Sequence, residues 1–115
     1  MDAIAHARFQ RYGRRKVAQV LDQLRGKSVW QVEQMLPHIP RAAVGFVSKT
    51  VHSAAANLSV RAGRKLDPKE VRVASAWVGQ GPMKQMRRVM PAPQGRAMSF
   101  RRKVCHLTIV VSAEK

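Results

Sequence analysis

The sequence predicts an α+β fold: three helices, the strands of a small sheet and a long protruding β-hairpin. Three segments repeat apolar residues at helical spacing, and three others alternate or concentrate β-branched residues as strands do. No acidic residue occurs between Glu70 and Glu114. A chain of 115 residues suffices for one domain. We therefore expect a single domain at 1–115, with a globular body at about 1–80 and 102–115 and an extended basic hairpin at about 81–101.

The N-terminal part predicts a strand followed by a helix. Residues 3–9 alternate roughly between apolar and polar side chains, which favours a short strand. Four apolar residues then fall at i, i+3, i+4 and i+7, namely Val17, Val20, Leu21 and Leu24. Gly26 after Arg25 is a normal helix stop. The spacing therefore predicts a first helix that buries one face.

Two further helices are expected before the middle of the chain. Ser28 is a suitable N-cap for a short second helix that ends at Pro37. Pro40 suits the start of a third helix, whose apolar face continues to about residue 60. The small side chains of its SAAAN segment allow another element to approach closely. Trp30, at the start of the second helix, is expected in the core.

Two strong strand patterns flank the segment without acids. VRVASAWV, at 71–78, alternates strictly, so its odd-numbered residues Val71, Val73, Ser75 and Trp77 should share one face. A Trp on a strand is more often a core residue than a base-stacking platform, so we expect Trp77 in the core. KVCHLTIVV, near the C-terminus, is rich in β-branched residues. A turn signal at Pro91–Gly95 lies between them. The two strands and the basic stretch between them predict one long hairpin.

The charge balance restricts the class of function. Lys and Arg number 22 against six Asp and Glu, giving a formal net charge of +16 and a pI near 11.8. Such self-repulsion is relieved by a polyanion, so nucleic acid, an anionic membrane or an acidic partner are the candidates. A hydrophobic fraction of 45% excludes a disordered basic tail. A single cysteine, no span-length apolar run and no signal peptide together favour a cytosolic protein.

Motifs for catalysis, metals and cofactors are weak. Gly26-Lys27-Ser28 resembles the end of a phosphate-binding loop, but Leu21 stands where that loop needs a glycine, so two helix caps are the better interpretation. Cys105 and His106 are neighbours on a strand and point to opposite faces, which favours a buried Cys and an exposed or RNA-facing His. Six scattered carboxylates form no acid–base pair. We expect neither an enzyme nor a cofactor, a metal or a small-molecule substrate.

Basic clusters are the strongest functional signal. Arg11, Arg14, Arg15 and Lys16 precede or open the first helix, where the helix N-terminus itself attracts phosphate. Phe100 lies among arginines and is a candidate for stacking on a base or ribose. Together with the stretch without acids, these residues predict a phosphate-binding surface.

The motifs occur in the order of a known family. LRGKSV, SAAANL and QGRAMSFRRKVCHLTIVV, in that order, resemble the universal ribosomal large-subunit protein twenty-two. The resemblance covers about residues 3–112. It implies three helices packed on a small three-stranded antiparallel sheet with a long protruding β-hairpin. It also implies a structural constituent of the large ribosomal subunit that binds large-subunit rRNA, supports assembly and places the hairpin tip in the wall of the polypeptide exit tunnel.

The resemblance also implies partners and sites. The partners are large-subunit rRNA, neighbouring large-subunit proteins and the nascent polypeptide at the tip, with no membrane. A cytoplasmic bacterial ribosome and an organellar ribosome both fit. The expected rRNA-binding residues are basic: Arg8, Arg11, Arg14, Arg15, Lys16, Arg25, Lys27, Lys84, Arg87, Arg88, Arg96, Arg101, Arg102, Lys103 and His106. The expected tunnel tip is the turn with its flanks: Arg88, Val89, Met90, Pro91, Ala92, Pro93, Gln94, Gly95 and Arg96.

Two departures and two alternatives qualify this interpretation. Ala92 and Gln94 stand where the family usually has basic residues, so this tip is expected to be less basic. The charge alone also fits a nucleoid-type protein that binds DNA without sequence preference. A membrane-active cationic peptide fits less well, because the basic residues are not confined to one face of one helix.

Overall fold

In the residues that it describes, the computed structural model contains three α-helices and five strands. It describes residues 2–81, 87–91, 93–101 and 103–113, and at 87–91 and 98–101 it describes the backbone alone. In chain order the elements are β1 (Asp2–Gln10), α1 (Arg14–Leu24), α2 (Val29–Met35), a single 3₁₀ turn (Leu36–His38), α3 (Val44–Ala62), β2 (Val71–Gln80), β3 (Arg87–Pro91), β4 (Ala97–Arg101) and β5 (Cys105–Ala113). The predicted α+β fold is confirmed.

The body is a three-stranded antiparallel sheet with the helices on one face. The strand order is β1-β5-β2, so the last strand lies in the centre. Its side chains at 105, 107, 109 and 111 are all fully buried against the helices. Small residues of β1 lie opposite them, since Ala3 pairs with Val111 and Ala5 with Ile109. These alanines let α3 lie close to the sheet, as its own small side chains had indicated.

The first two helices follow from local sequence. α1 buries the four predicted apolar residues Val17, Val20, Leu21 and Leu24. α2 begins with a complete capping box, in which the Ser28 hydroxyl accepts from the Gln31 N–H and the Gln31 side chain accepts from the Ser28 N–H. Both backbone donors are thereby satisfied. The predicted boundaries of these helices are confirmed to within a few residues.

The third helix begins later than the sequence indicated. It starts at Val44 rather than at Pro40, because residues 41–43 form a turn in which the Val44 N–H donates to the Arg41 carbonyl. The helix ends at Ala62, and its C-cap Gly63 has a φ of 74°, the left-handed geometry common at this position. The predicted end at about residue 60 was therefore closer than the predicted start.

Both outer edges of the sheet are hydrogen-bonded by other parts of the chain. Along β2, Val73 exchanges backbone hydrogen bonds with the α1–α2 loop, accepting from the Gly26 N–H and donating to the Lys27 carbonyl. Gly26 adopts a φ of 81° to do so. Along β1, the Asn57 side chain donates to the Ile4 carbonyl at 3.0 Å, and Arg61 donates to the Asp2 carbonyl.

A β-bulge in β2 corrects the predicted faces of that strand. Val73 pairs with Val111, but the next pair in register is Ser75 with Val110, so Ala74 is an extra residue. Beyond the bulge the alternation is inverted, and Ala76 rather than Trp77 points to the helices. The prediction that Trp77 is a core residue was wrong, since its side chain is 50% exposed.

Trp30 is also more exposed than predicted. Its side chain is 43% exposed and lies on the surface of α2. Lys69 covers the ring with its ammonium nitrogen 5.1 Å from the ring centroid, which is a cation–π contact. Helical spacing placed Trp30 next to the apolar face, but the space between α2 and the sheet is filled by Val29 and Val32.

The hairpin forms a separate two-stranded antiparallel sheet. β3 pairs with β4 from Arg87 opposite Arg101 to Pro91 opposite Ala97. The turn at Pro93–Gly95 is tight, because Gln94 and Gly95 both have a positive φ, 62° and 71°. Side chains from 93 to 97 are exposed. With a longest extent of 65 Å against 26 and 16 Å, the chain is strongly elongated.

Candidate nucleic-acid interface

The root of the hairpin is the place where the paired strands β2 and β5 end, at Gln80–Gly81 and Lys103–Cys105. β2 and β5 stay paired up to Gln80 opposite Cys105, and the Gly81 N–H then donates to the Val104 carbonyl at 2.7 Å. A Cβ at Gly81 would lie 2.9 Å from Val104 Cγ1, so only glycine fits there without displacement. The two legs of the hairpin therefore leave the body side by side.

A basic cavity of about 300 Å³ opens beside this root. Its walls are formed by Arg14 and Arg15 from the start of α1, Gln80 from the end of β2, and Lys103 and Val104 before β5. Lys103 packs closely on the helix start, since a Cβ at Gly13 would lie 3.4 Å from its Cδ. Residues almost ninety positions apart in sequence thus converge on one site.

The start of α1 is electrostatically unfavourable in the free protein. Its first three residues, Arg14, Arg15 and Lys16, are all cations, and its first turn contains no acidic residue. The Gly13 N-cap supplies no side-chain hydrogen bond to the free backbone N–H groups. A helix N-terminus carries partial positive charge, so these cations add to it rather than offset it. An anion in the cavity would relieve both unfavourable terms.

Ion pairs lie elsewhere on the body. Among the described residues, carboxylates form ion pairs in two places, Asp22 with Arg25 and Glu70 with Arg64, and Glu33 lies 3.7 Å from the His52 imidazole. None of these pairs involves a wall of the cavity. The cations at the hairpin root therefore have no carboxylate partner within the described ranges.

The structure places the other predicted rRNA-binding residues in different settings. Five are exposed on the surface of the described chain: Arg8, Arg11, Lys16, Lys27 and Arg96. Arg25 has internal partners instead, since it pairs with Asp22 and donates from Nε to the Ala76 carbonyl at 3.0 Å. Arg87, Arg88 and Arg101 lie on the hairpin strands, of which the backbone is described. Lys84 and Arg102 lie outside the described residues, as does Ala92 of the predicted tip.

Cys105 and His106 separate onto the two faces of the sheet, as predicted. Cys105 is fully buried under the helices, and burial raises the pKa of its thiol, partly offset by a hydrogen bond from the Tyr12 backbone. His106 lies on the opposite face, where its Nδ1 accepts a hydrogen bond from the Phe9 N–H at 3.0 Å. The thiol is therefore a core group rather than a reactive one.

Catalytic and metal-binding arrangements are not found in the part of the chain described. No three His, Cys, Asp or Glu side chains within it come close enough to hold a metal ion. No helix in the same ranges combines the length and the hydropathy that crossing a membrane requires.

Comparison with known proteins agrees with these features. The family described as ribosomal protein L22p/L17e matches residues 5–112. Large ribosomal subunit protein uL22 of Acaryochloris marina (strain MBIC 11017) is 41% identical over 112 residues, covering 97% of this chain and 90% of the relative. The protein of the same name from Prochlorococcus marinus (strain AS9601) is 38% identical over 111 residues, covering 96% and 84%. With the sheet, the projecting hairpin and the basic root in place, the chain belongs to the ribosomal protein L22p/L17e family.

Proposed function

We propose that this chain, a structural constituent of the large ribosomal subunit by its family, binds large-subunit rRNA through the root of its hairpin and supports subunit assembly. The observation that carries the proposal is the basic cavity formed by Arg14, Arg15 and Lys103. Three cations with no carboxylate partner among the described residues surround a space of about 300 Å³ at a helix N-terminus. Phosphate is the ligand that this arrangement fits best.

Recognition at this site is by backbone and shape. The guanidinium groups of Arg14 and Arg15 can each bridge two phosphate oxygens, whereas Lys103 supplies a point charge. Folded RNA brings phosphates from distant strands close together, so a compact basic site can join them. Sequence-specific reading of a duplex is not needed for such contacts. The exposed cation Arg11, on the chain leading into α1, extends the same surface.

The hairpin tip is proposed to lie in the wall of the polypeptide exit tunnel, next to the nascent polypeptide. The tip ends in the exposed turn Pro93–Gly95, which projects from an elongated molecule. Arg96 is exposed directly after it. A two-stranded ribbon is marginally stable alone, so a surrounding RNA surface would hold it in place. Neighbouring large-subunit proteins are the further proposed partners of the body.

The proposed location follows the relatives. Both relatives are bacterial proteins whose name assigns them to the large ribosomal subunit. We therefore assign the chain to the cytoplasmic ribosome of a bacterium, and an organellar ribosome remains the alternative that the sequence left open.

RNA binding at the hairpin root can be measured directly. The triple variant Arg14→Gln/Arg15→Gln/Lys103→Gln removes the cavity's charges, and we expect it to bind fragments of large-subunit rRNA at least about tenfold more weakly at ~200 mM salt. The slope of log affinity against log salt should become shallower by about two to three, one for each phosphate that is no longer neutralised. Duplex DNA serves as the competing polyanion.

A matched control variant distinguishes the loss of a specific site from the loss of net positive charge. Arg41→Gln/Lys49→Gln/Lys65→Gln removes three exposed cations that do not line the cavity. We expect it to lose much less affinity for the rRNA. Equal losses for the two triple variants would contradict a specific site, and equal affinity of the wild type for duplex DNA would favour the nucleoid-type alternative.

Tunnel placement needs a test in the assembled ribosome. A photocrosslinking amino acid at Gln94 should attach to nascent chains on translating ribosomes, whereas the same group at Val60, an exposed residue of α3, should not. Crosslinks at Val60 and none at Gln94 would overturn the placement of the tip without affecting the rRNA proposal.

A further inference from the structure

We infer that the sheet face turned away from the helices is a stacking platform for unpaired RNA nucleotides, with Trp77 and Phe9 as its ring surfaces. The inference rests on the proposed function, because it takes the partner to be RNA. It goes further in naming a second surface, on the outer sheet face beside the hairpin root, and a different chemistry. Stacking holds bases, whereas the root is suited to phosphates.

The strand register aligns the outer side chains in rows. His6 lies opposite Thr108, and Thr108 lies opposite Trp77, so the three form one row across the sheet. His6 Nδ1 and Thr108 Oγ1 are hydrogen-bonded at 3.0 Å. Thr108 is only 9% exposed between these neighbours, while Trp77 is 50% exposed. The indole therefore lies at the edge of an ordered polar row with much of its surface free.

A second ring lies one row further towards the hairpin. Phe9 is 65% exposed, and its ring meets the edge of His106 with centroids 4.8 Å apart and planes at 85°. His106 precedes Thr108 by two positions on the same face of β5, so the two rows are about 7 Å apart. The two rings thus belong to neighbouring rows of one surface.

Both rings reach this surface through irregular backbone. The Ala74 bulge turns Trp77 outwards, and a second irregularity in β1 lies between Ala7 and Gln10. Within it Phe9 has a φ of 57°, a left-handed geometry that is strained for a bulky residue. Strained and bulged residues are concentrated at functional sites. Two independent distortions here have the same result, an exposed aromatic ring on one face.

Charge complementarity favours RNA as the occupant. A cavity of about 310 Å³ on this face is lined by His6, Arg8, Phe9, His106, Leu107 and Thr108. Arg8 is exposed at its rim, and the described carboxylate on this face, Asp2, lies at the far end of β1. Aromatic rings on a sheet beside a cation hold single-stranded RNA in other folds, each ring stacking one base.

The two tryptophans of the chain make the test site-specific. Trp30→Phe leaves Trp77 as the sole indole, and Trp77→Phe leaves Trp30, which is on α2. A single-stranded oligoadenylate of about six nucleotides should quench the emission of Trp77 and not that of Trp30. An RNA duplex of the same length should quench neither. Absence of quenching at Trp77, or equal quenching at both positions, would overturn the inference.

Affinity for large-subunit rRNA fragments supplies the second readout. Trp77→Ser and Phe9→Gly should each weaken binding about tenfold, the order expected for one stacked base. Glycine at position 9 accepts the positive φ, so this variant keeps the backbone. Trp77→Phe should retain most of the affinity because it keeps a ring, and Trp30→Ser, which removes a similarly exposed indole, should bind like the wild type.

The outcomes separate this inference from the proposed function. If the root variant Arg14→Gln/Arg15→Gln/Lys103→Gln loses affinity but Trp77→Ser and Phe9→Gly do not, the stacking platform is wrong and the rRNA function stands. If Trp77→Ser lowers incorporation into large subunits while its RNA affinity is unchanged, the face contacts a protein and the inference is again overturned. Wild-type affinity for large-subunit rRNA no higher than for duplex DNA would reject the proposed function, whatever happens at Trp77.

Discussion

The two faces of the β1-β5-β2 sheet share the same strands and have opposite characters. The inner face aligns Ala5, Ile109 and Ala76 under the helices, and all three are buried. The row beside it on the outer face aligns His6, Thr108 and Trp77, of which His6 and Trp77 are exposed. Antiparallel sheets often have one packed and one solvated face. Here the unpacked face carries exposed aromatic rings as well as polar groups, which is typical of a binding surface.

The largest effect expected from this contrast is in the core. Leu107→Ala removes a fully buried side chain from the inner face and should lower the free energy of unfolding by about 2–5 kcal/mol. Val110→Ala, on the outer face of the same strand, should cost less than about 1 kcal/mol. Urea denaturation measures both. Similar losses for the two variants would mean that the faces do not differ as the structure has them.

Deleting Ala74 tests the origin of the contrast in β2. Without this extra residue the alternation becomes regular, and the pairs Ala76–Ile109 and Trp77–Thr108 are kept, so Ala76 should stay beneath the helices and Trp77 on the outer face. Straightening the backbone beside Val73 should cost about 1–3 kcal/mol in urea unfolding. In the Trp30→Phe background, acrylamide should quench Trp77 as strongly after the deletion as before it. Protection of Trp77 from acrylamide after the deletion would contradict Ala74 as the extra residue.

The next largest effect on stability is expected at the outer edge of β2. Gly26→Ala forces a side chain into a φ of 81° and should cost about 1–2 kcal/mol in thermal or urea unfolding. Gly79→Ala is the matched control on the same sheet, because nothing lies within 4 Å of the Cβ it would add and its φ is not left-handed. If both substitutions are neutral, the loop does not depend on the left-handed glycine.

The smallest effect at neutral pH concerns Cys105 on the inner face. Because burial raises the pKa of its thiol above the ordinary value of 9.0, the unfolded chain ionises first as the pH rises. Its contribution to stability is complete below that value and is lost as the pH rises towards the folded-state pKa. Between about pH 8 and about pH 10, the wild type should therefore lose more stability than Cys105→Ala. Equal losses would indicate that the thiol is accessible to water.

The sequence predicted the helices and strands well because residue spacing and capping residues act within a few positions along the chain. The spacing of Val17, Val20, Leu21 and Leu24 and the cap at Ser28 determine α1 and α2 without reference to distant residues. Trp77 was misplaced because a bulge depends on the register between β2 and β5, which strict alternation cannot show. The start of α3 was misplaced because Pro40 was compatible with a helix but the turn at 41–43 competed for it.

The residues of the candidate site were predictable from the sequence, but their arrangement was not. Charge identified Arg14, Arg15 and Lys103 separately, but their convergence on one cavity depends on how the start of α1 meets the root of the hairpin. Arg25 carried the same charge signal, and yet its position beside Asp22 and the Ala76 carbonyl gives it internal partners. Phe9 gave no signal at all, because its exposure comes from a backbone irregularity.

The hydrogen bonds along the sheet edges affect how readily the free protein aggregates. An unpaired strand edge is a template on which another chain can add a strand, the first step of aggregation. Gly26 and Lys27 occupy this template on β2, while Asn57 and Arg61 occupy it on β1. These contacts occupy part of both edges, and we expect them to disfavour strand addition through the body of the free protein. The Gly26-Lys27-Ser28 loop, which resembled part of a nucleotide-binding motif, thus covers a strand edge to which another chain could otherwise bind.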